Sequence, residues 1–180
     1  MKSIYNGKLM NQKAIILFAV LMLVLPLNAQ GDRKGGKEAV FYPVSRIVDG
    51  DTFWVDNESE KGIKIRLTGV DAPETRNSRN KLKAAFGDES TRYLTDLIAG
   101  KSVRLEYDID TLDQYGRTLA YVYLEDGTFV NATMVRNGYA TVMTTPPNVR
   151  YADTFVELAE KARKREMGLW KGTMFSGNEF

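Results

Sequence analysis

Ile63, Ile65 and Leu67 alternate with Lys64, Arg66 and Thr68, and Val103, Leu105 and Tyr107 alternate with Arg104, Glu106 and Asp108. A period of two turns one set of side chains to one face, so both segments predict strands with a buried side. Phe41–Ile47 and Thr52–Asp56 predict an earlier pair around the turn at Asp49-Gly50. Leu119–Leu124 is apolar on both faces and predicts a central strand. Five strands in a chain this short are too few for a sandwich of two large sheets. Closing them into a small barrel removes exposed edges. Helical spacing predicts Lys83–Ile98, with Gly87 expected to shorten it. A second helix is predicted over Asn131–Asn137, capped by Asn131 and stopped at Gly138. The clearest helix is Thr154–Arg165, where Phe155, Leu158, Ala159 and Ala162 recur on one face. Thr154 and Glu157 have the spacing of a capping box, and Trp170 is expected to anchor the segment that follows. The expected class is α+β, mainly β: a five-stranded barrel with three helices.

The first 29 residues do not fit this pattern. Lys2, Lys8 and Lys13 precede the apolar run Ala14–Leu27, and Leu27-Asn28-Ala29 resembles a small-residue cleavage site. That order predicts a secretory signal peptide, hence a secreted or periplasmic protein, with an uncleaved membrane anchor as the alternative. Gln30–Glu38 is polar and Gly-rich and predicts a flexible linker. The domain is expected over 39–172, with a loose tail at 173–180.

Removing Met1–Ala29 changes the charge argument. The whole chain has 25 Lys and Arg against 23 Asp and Glu; the segment takes three Lys and no acid, leaving 22 against 23. A globally basic surface is excluded, so any polyanion site must be a local cluster of Arg and Lys. The chain has no Cys and no His. Disulfides, thiolate nucleophiles, histidine bases and typical zinc sites are excluded together. Chemistry must rest on carboxylates, guanidinium groups, hydroxyls or a hard, oxygen-bound cation.

Three segments concentrate such groups at strand ends: Val48-Asp49-Gly50-Asp51-Thr52, Ile65–Glu74, and Asp113-Gln114-Tyr115-Gly116-Arg117. Each alone reads as a turn, a helix start or a hairpin connection. Together they match phosphodiester hydrolysis, which needs a cation near the non-bridging oxygens, an activated water and donors that grip the phosphate. Two aspartates suit an oxygen-ligated Ca²⁺, a nearby carboxylate can orient or deprotonate water, and two arginines can hold a phosphate. Arg66 falls on the polar side of its strand, expected to be free to face a cleft. Arg76, Arg79, Lys81 and Lys83 form a basic cluster that could track a polymer; Lys161, Arg163, Lys164 and Arg165 suit a helix C-terminus.

These segments resemble the active-site signatures of the staphylococcal nuclease (thermonuclease) family. The resemblance covers about residues 40–170: IVDGDT at Ile47–Thr52, IRLTGVDAPE at Ile65–Glu74, DQYGRTLAYVY at Asp113–Tyr123, VNATMVRNGYA at Val130–Ala140 and the final EKARKREMGLW. It implies an OB-fold and a Ca²⁺-dependent nuclease of DNA and RNA that leaves 3′-phosphates. Asp51, Asp71 and the backbone carbonyl of Ala72 resemble the metal ligands, with Asp49 an acid behind them. Glu74 resembles the residue that positions the attacking water. Arg66 and Arg117 resemble the pair that binds the scissile phosphate, and Tyr115 a phosphate-contacting hydroxyl, with Arg76 and Lys81 as further substrate contacts. A monomer acting on DNA and RNA, single strands preferred, is the expected form. The chain departs from the family at Gln114, often Lys, and at Met143–Pro147, which lacks the base-stacking tyrosines; Tyr139 or Tyr151 could substitute. The alternative reading is a catalytically silent OB-fold module that binds nucleic acid without cutting it.

Overall fold

The computed structural model describes residues 39–73 and 81–171, the side chains of 81–85 excepted. The expected signal, the linker and the tail lie outside the described residues. Among the described residues there are seven strands: β1 (Tyr42–Ile47), β2 (Thr52–Val55), β3 (Ile63–Leu67), β4 (Val70–Asp71), β5 (Ser102–Glu106), β6 (Thr118–Leu124) and β7 (Thr141–Val142). Five of them close a barrel in the order β1-β2-β3-β6-β5, with β5 returning to β1. β3 and β6 run parallel, Arg66 beside Leu119, while the other barrel pairs are antiparallel. This is the expected five-stranded OB-fold barrel.

Its interior follows from the alternation. Phe53, Val55, Ile65, Leu67, Val103 and Val122 are buried inside. β6 is apolar on both sides because its outer face is also covered. There Tyr121 packs edge-on against Phe129 and Tyr151 and tilts against Phe155. The second alternating segment ends earlier than expected: β5 stops at Glu106, and Tyr107 is exposed.

Three helices flank the barrel: α1 (Lys81–Ile98), α2 (Val130–Arg136) and α3 (Ala152–Lys164), followed by a 3₁₀ turn at Gly168–Trp170. Gly87 does not shorten α1, which runs through it for 18 residues and buries Leu94 and Ile98. Tertiary burial there outweighs the modest helix cost of one glycine. The capping box of α3 does not form. That helix starts at Ala152, after Tyr151, so Thr154 and Glu157 lie inside it. The anchor after α3 is Leu169, which is fully buried; Trp170 is only half-buried and lies under the Arg163 guanidinium.

Asn131 is not a cap either. Phe129 holds that position, and Asn131 is completely buried in the first turn of α2. Its Oδ1 accepts from Val122 N at 2.9 Å, and its Nδ2 donates to Thr68 O at 2.9 Å and Ala120 O at 3.3 Å. One amide thus ties α2 to β6 and to the loop after β3. Asn131→Ala would strand those buried backbone groups. It is expected to lower the unfolding free energy by about 2–4 kcal/mol in urea titrations, since each unmet buried group costs about 1–3 kcal/mol. A loss below about 1 kcal/mol would mean that water replaces the amide.

Candidate active site

The turn between β1 and β2 builds the first part of the site. Asp49 Oδ1 accepts from Asp51 N at 3.2 Å, folding Asp49-Gly50-Asp51 back on itself. Gly50 is required by close approach: a Cβ there would lie 2.7 Å from both Ala72 Cβ and Ser90 Cβ. The turn is therefore pressed against β4's end and α1. This pushes the Asp51 carboxylate inward, where the residue is 6% exposed. Its Oδ2 accepts from Ala72 N at 2.8 Å, and its Oδ1 accepts from the Thr52 hydroxyl at 2.9 Å.

Arg66 is on the outer side of β3, as the alternation requires, but it is not free. It is 8% exposed, covered by the β1–β2 turn and β4. Its Nη1 donates to Leu67 O and Val70 O at 2.7 and 2.6 Å, and its Nη2 donates to Asp71 Oδ1 at 2.8 Å. Nε lies 3.2 Å from Asp51 Oδ1. The guanidinium thus sits between two carboxylates held by different strands. Burial pushes the Asp51 carboxyl up to about 6; Arg66 opposes this, Asp49 adds to it, and the hydrogen bonds from Ala72 and Thr52 oppose it again.

Arg117 comes from the loop that enters β6. Asp113 N donates to Arg117 O and Gly116 N to Asp113 O, a tight turn that Gly116 closes with φ +75°. The Asp113 carboxylate organises it, accepting from Tyr115 N, Arg117 N and, at 2.6 Å, Arg117 Nε. Burial opposes ionisation of Asp113, but these donors outweigh it and hold its carboxyl below the usual range. Tyr115 is exposed, with Arg117 5.4 Å from its ring centre. Asp113 was not among the sequence candidates. The signal was its position four residues before Arg117, inside the same segment.

Arg66 and Arg117 line one cleft of about 400 Å³, together with Tyr115, Leu112, Met143 and Pro146. Parallel pairing explains the convergence, because Arg66 sits beside Leu119, two residues beyond Arg117. Asp51 and Asp71 reach this cleft through Arg66. Glu74 and Arg76 lie outside the described residues; Lys81 opens α1, and its side chain lies outside them too. Tyr139 and Tyr151 do not serve as stacking platforms. Tyr139 stacks on Tyr93 at 4.1 Å, and Tyr151 packs among Tyr121, Phe129 and Phe155, with its hydroxyl on Glu106.

A hard cation fits the donors present. Among the described residues no three acidic side chains gather into a metal cluster, but Asp51 and Asp71 offer oxygen donors and nothing softer. Arg66 only partly offsets the burial of Asp51, whose carboxyl stays raised.

The family model for staphylococcal nuclease homologues matches residues 64–172. The chain belongs to the staphylococcal nuclease family. Within that family it is 33% identical to a thermonuclease of Staphylococcus intermedius, over 95% of this chain and 99% of the relative. It is 31% identical to a thermonuclease of Staphylococcus hyicus, over 94% of this chain and 99% of the relative. An uncharacterized endonuclease of Escherichia coli O157:H7 is 39% identical over 71% of this chain and 74% of its own length. Staphylococcal nuclease membership makes the chain a hydrolase, a nuclease acting on phosphodiester bonds. Arg66 and the Arg117 turn face the cleft, and Asp51 and Asp71 pair with Arg66.

Proposed function

We propose that this nuclease is an exported, Ca²⁺-dependent enzyme that hydrolyses DNA and RNA, favouring single strands and leaving 3′-phosphates. The observation that carries the reading is the buried Arg66, paired with Asp51 and with the half-exposed Asp71, on a cleft that Arg117 also lines. Asp51, Asp71 and the Ala72 carbonyl would hold the ion. When bound, it would offset charge at the non-bridging oxygens and lower the pKa of a coordinated water. Arg66 and Arg117 bind the scissile phosphate and meet the charge that develops as water adds in line. Asp113 holds the Arg117 guanidinium in place by a 2.6 Å bond to Nε. Glu74 orients the water and takes its proton. The phosphorus gains a bond to the water oxygen, its bond to the 5′-oxygen breaks, that oxygen takes a proton from solvent and leaves as a hydroxyl, and the phosphate stays on the 3′ side. Tyr115 contributes a phosphate contact, with Arg76 and Lys81 beyond it.

The exposed cleft supports single strands, whose bases can reach Leu112, Met143 and Pro146 without pairing constraints. Export is supported by Lys2, Lys8 and Lys13 ahead of Ala14–Leu27. The N-terminus of the protein recovered outside the cell checks it.

The decisive experiment digests single- and double-stranded DNA and RNA with Ca²⁺, Mg²⁺ or a chelator. Cleavage of both polymers in Ca²⁺, abolished by chelation, is expected. Full cleavage in chelator would remove the metal from the mechanism. Binding without cleavage in Ca²⁺ would favour the silent module.

A further inference from the structure

The outer face of β1, β2 and β3 carries a transverse row that the reaction does not use. Arg46 is the register partner of Trp54, and Trp54 is the partner of Lys64. A bulge makes the row possible. The register shifts between Val44 and Arg46, so Val44 stays opposite Val55 while Arg46 faces Trp54. Without the extra residue, Arg46 would share the inward parity of Val44. With it, Ser45 and Arg46 are both exposed. The three side chains line a groove of about 260 Å³. The Arg46 guanidinium lies 5.3 Å from the Trp54 ring centre. The indole N–H is buried and has no acceptor among the described residues. Neither Arg46 nor Lys64 forms an ion pair among the described residues.

The row and the cleft share one strand ladder. Thr52 pairs with Arg66 one step further along the same ladder as Trp54 and Lys64. Residues two apart on a strand share a face, so Lys64 and Arg66 point the same way, about 7 Å apart along β3. An aromatic plate between two unpaired cations matches a polyanion whose monomers each present a flat ring. A protein partner would not require that alternation.

We propose that Arg46, Trp54 and Lys64 form a second contact for single-stranded nucleic acid, stacking one base on Trp54 and holding flanking phosphates with Arg46 and Lys64. The strand then runs from this row into the cleft at Arg66. This assignment rests on the nuclease reading, and it adds a binding site that lengthens the substrate footprint without entering the chemistry. Substrates too short to span both sites gain nothing from it.

The test compares a dinucleotide with an oligothymidylate of about 20 nucleotides. The double variant Arg46→Glu/Lys64→Glu is expected to raise KM for the long substrate about tenfold, with kcat and dinucleotide kinetics unchanged. Losing two phosphate contacts should flatten the dependence of log KM on log salt by about 1.4. Trp54 and Trp170 are the only tryptophans, so Trp54 emission can be read in a Trp170→Phe protein. Oligothymidylate in chelator should quench it, and Trp54→Ala should raise KM for the long substrate in the same direction as the charge reversals. Unchanged KM for the long substrate would overturn the proposal, with or without quenching. So would a response to anionic phosphatidylglycerol vesicles but not to oligothymidylate, which would make this a lipid-facing surface. If the wild-type protein cleaves neither substrate, the nuclease reading fails by itself, and the emission titration in chelator still decides whether the row binds single strands.

Discussion

Replacing Arg66 with alanine is expected to lower kcat/KM about a thousandfold and to destabilise the domain at the same time. The activity loss follows from removing the guanidinium proposed to bind the phosphate, an effect of about 10²–10⁵ in comparable sites. The stability loss follows from what Arg66 holds. Its donors meet Leu67 O, Val70 O and Asp71, and it lies against a nearly buried Asp51. Removing one member of a buried ion pair costs about 3–5 kcal/mol, because the partner charge is left behind. From the sequence, Arg66 is expected to be free to face a cleft and the domain to stay folded without it; the burial of Arg66 adds a stability cost. The penalty is largest above pH 6, where Asp51 is ionised, and shrinks as acid protonates it. Steady-state kinetics with urea titrations at pH 5 and pH 8 check both parts. Activity within tenfold of wild type would remove Arg66 from the phosphate site.

Asp51→Asn should also abolish most activity, and it should flatten the pH dependence of stability. Loss of a carboxylate proposed to hold the metal forfeits several kcal/mol of charge stabilisation, a factor of about a hundred or more in rate. In the metal-free domain the carboxyl of Asp51 is raised from 3.8 to about 6, chiefly by burial. A raised folded-state pKa contributes stability that is complete below the unfolded value and lost as pH rises through the folded one. The wild-type domain therefore loses stability at this group between pH 4 and pH 8. The asparagine variant lacks that slope, so its stability relative to wild type should rise by about 1–2 kcal/mol over that range. Against this stand the lost carboxylate contact of the buried Arg66 and an amide N–H turned towards the donors Ala72 N and Thr52 Oγ1. Thermal unfolding across pH 4–8 in chelator measures it. A variant as pH-dependent as wild type would remove Asp51 as the source of the slope.

The barrel was legible because its strands obey the strongest local signal. Ile63, Ile65 and Leu67 must share a side, and the double-sided run of β6 is what a strand between an interior and a covering layer requires. What was not legible depends on partners distant in sequence. β4 and β7 have two residues each, too short for any period, and exist only because they pair with each other. Asn131 has the composition of a cap but is claimed by Val122, Thr68 and Ala120. Tyr139 and Tyr151 have the composition of stacking platforms but are claimed by Tyr93 and by the aromatic layer over β6. Residue types placed Asp51, Arg66, Asp71 and Arg117 in one candidate site. The burial of Arg66 under the β1–β2 turn and β4, and the Asp113 clamp on Arg117, needed coordinates.

The small β4–β7 sheet carries Asp71 opposite Thr141, with the Thr141 hydroxyl donating to Asp71 O at 3.2 Å and Met143 N donating to Gly69 O at 3.0 Å. The segment that starts at Met143 and walls the cleft is therefore anchored to the backbone bearing a candidate ion ligand. Grafting a tyrosine-bearing loop onto this protein to alter its nucleobase taste would tug on its grip for the ion as well. Selectivity and the proposed cation site would share one backbone support, so directed evolution of one should be screened for drift in the other.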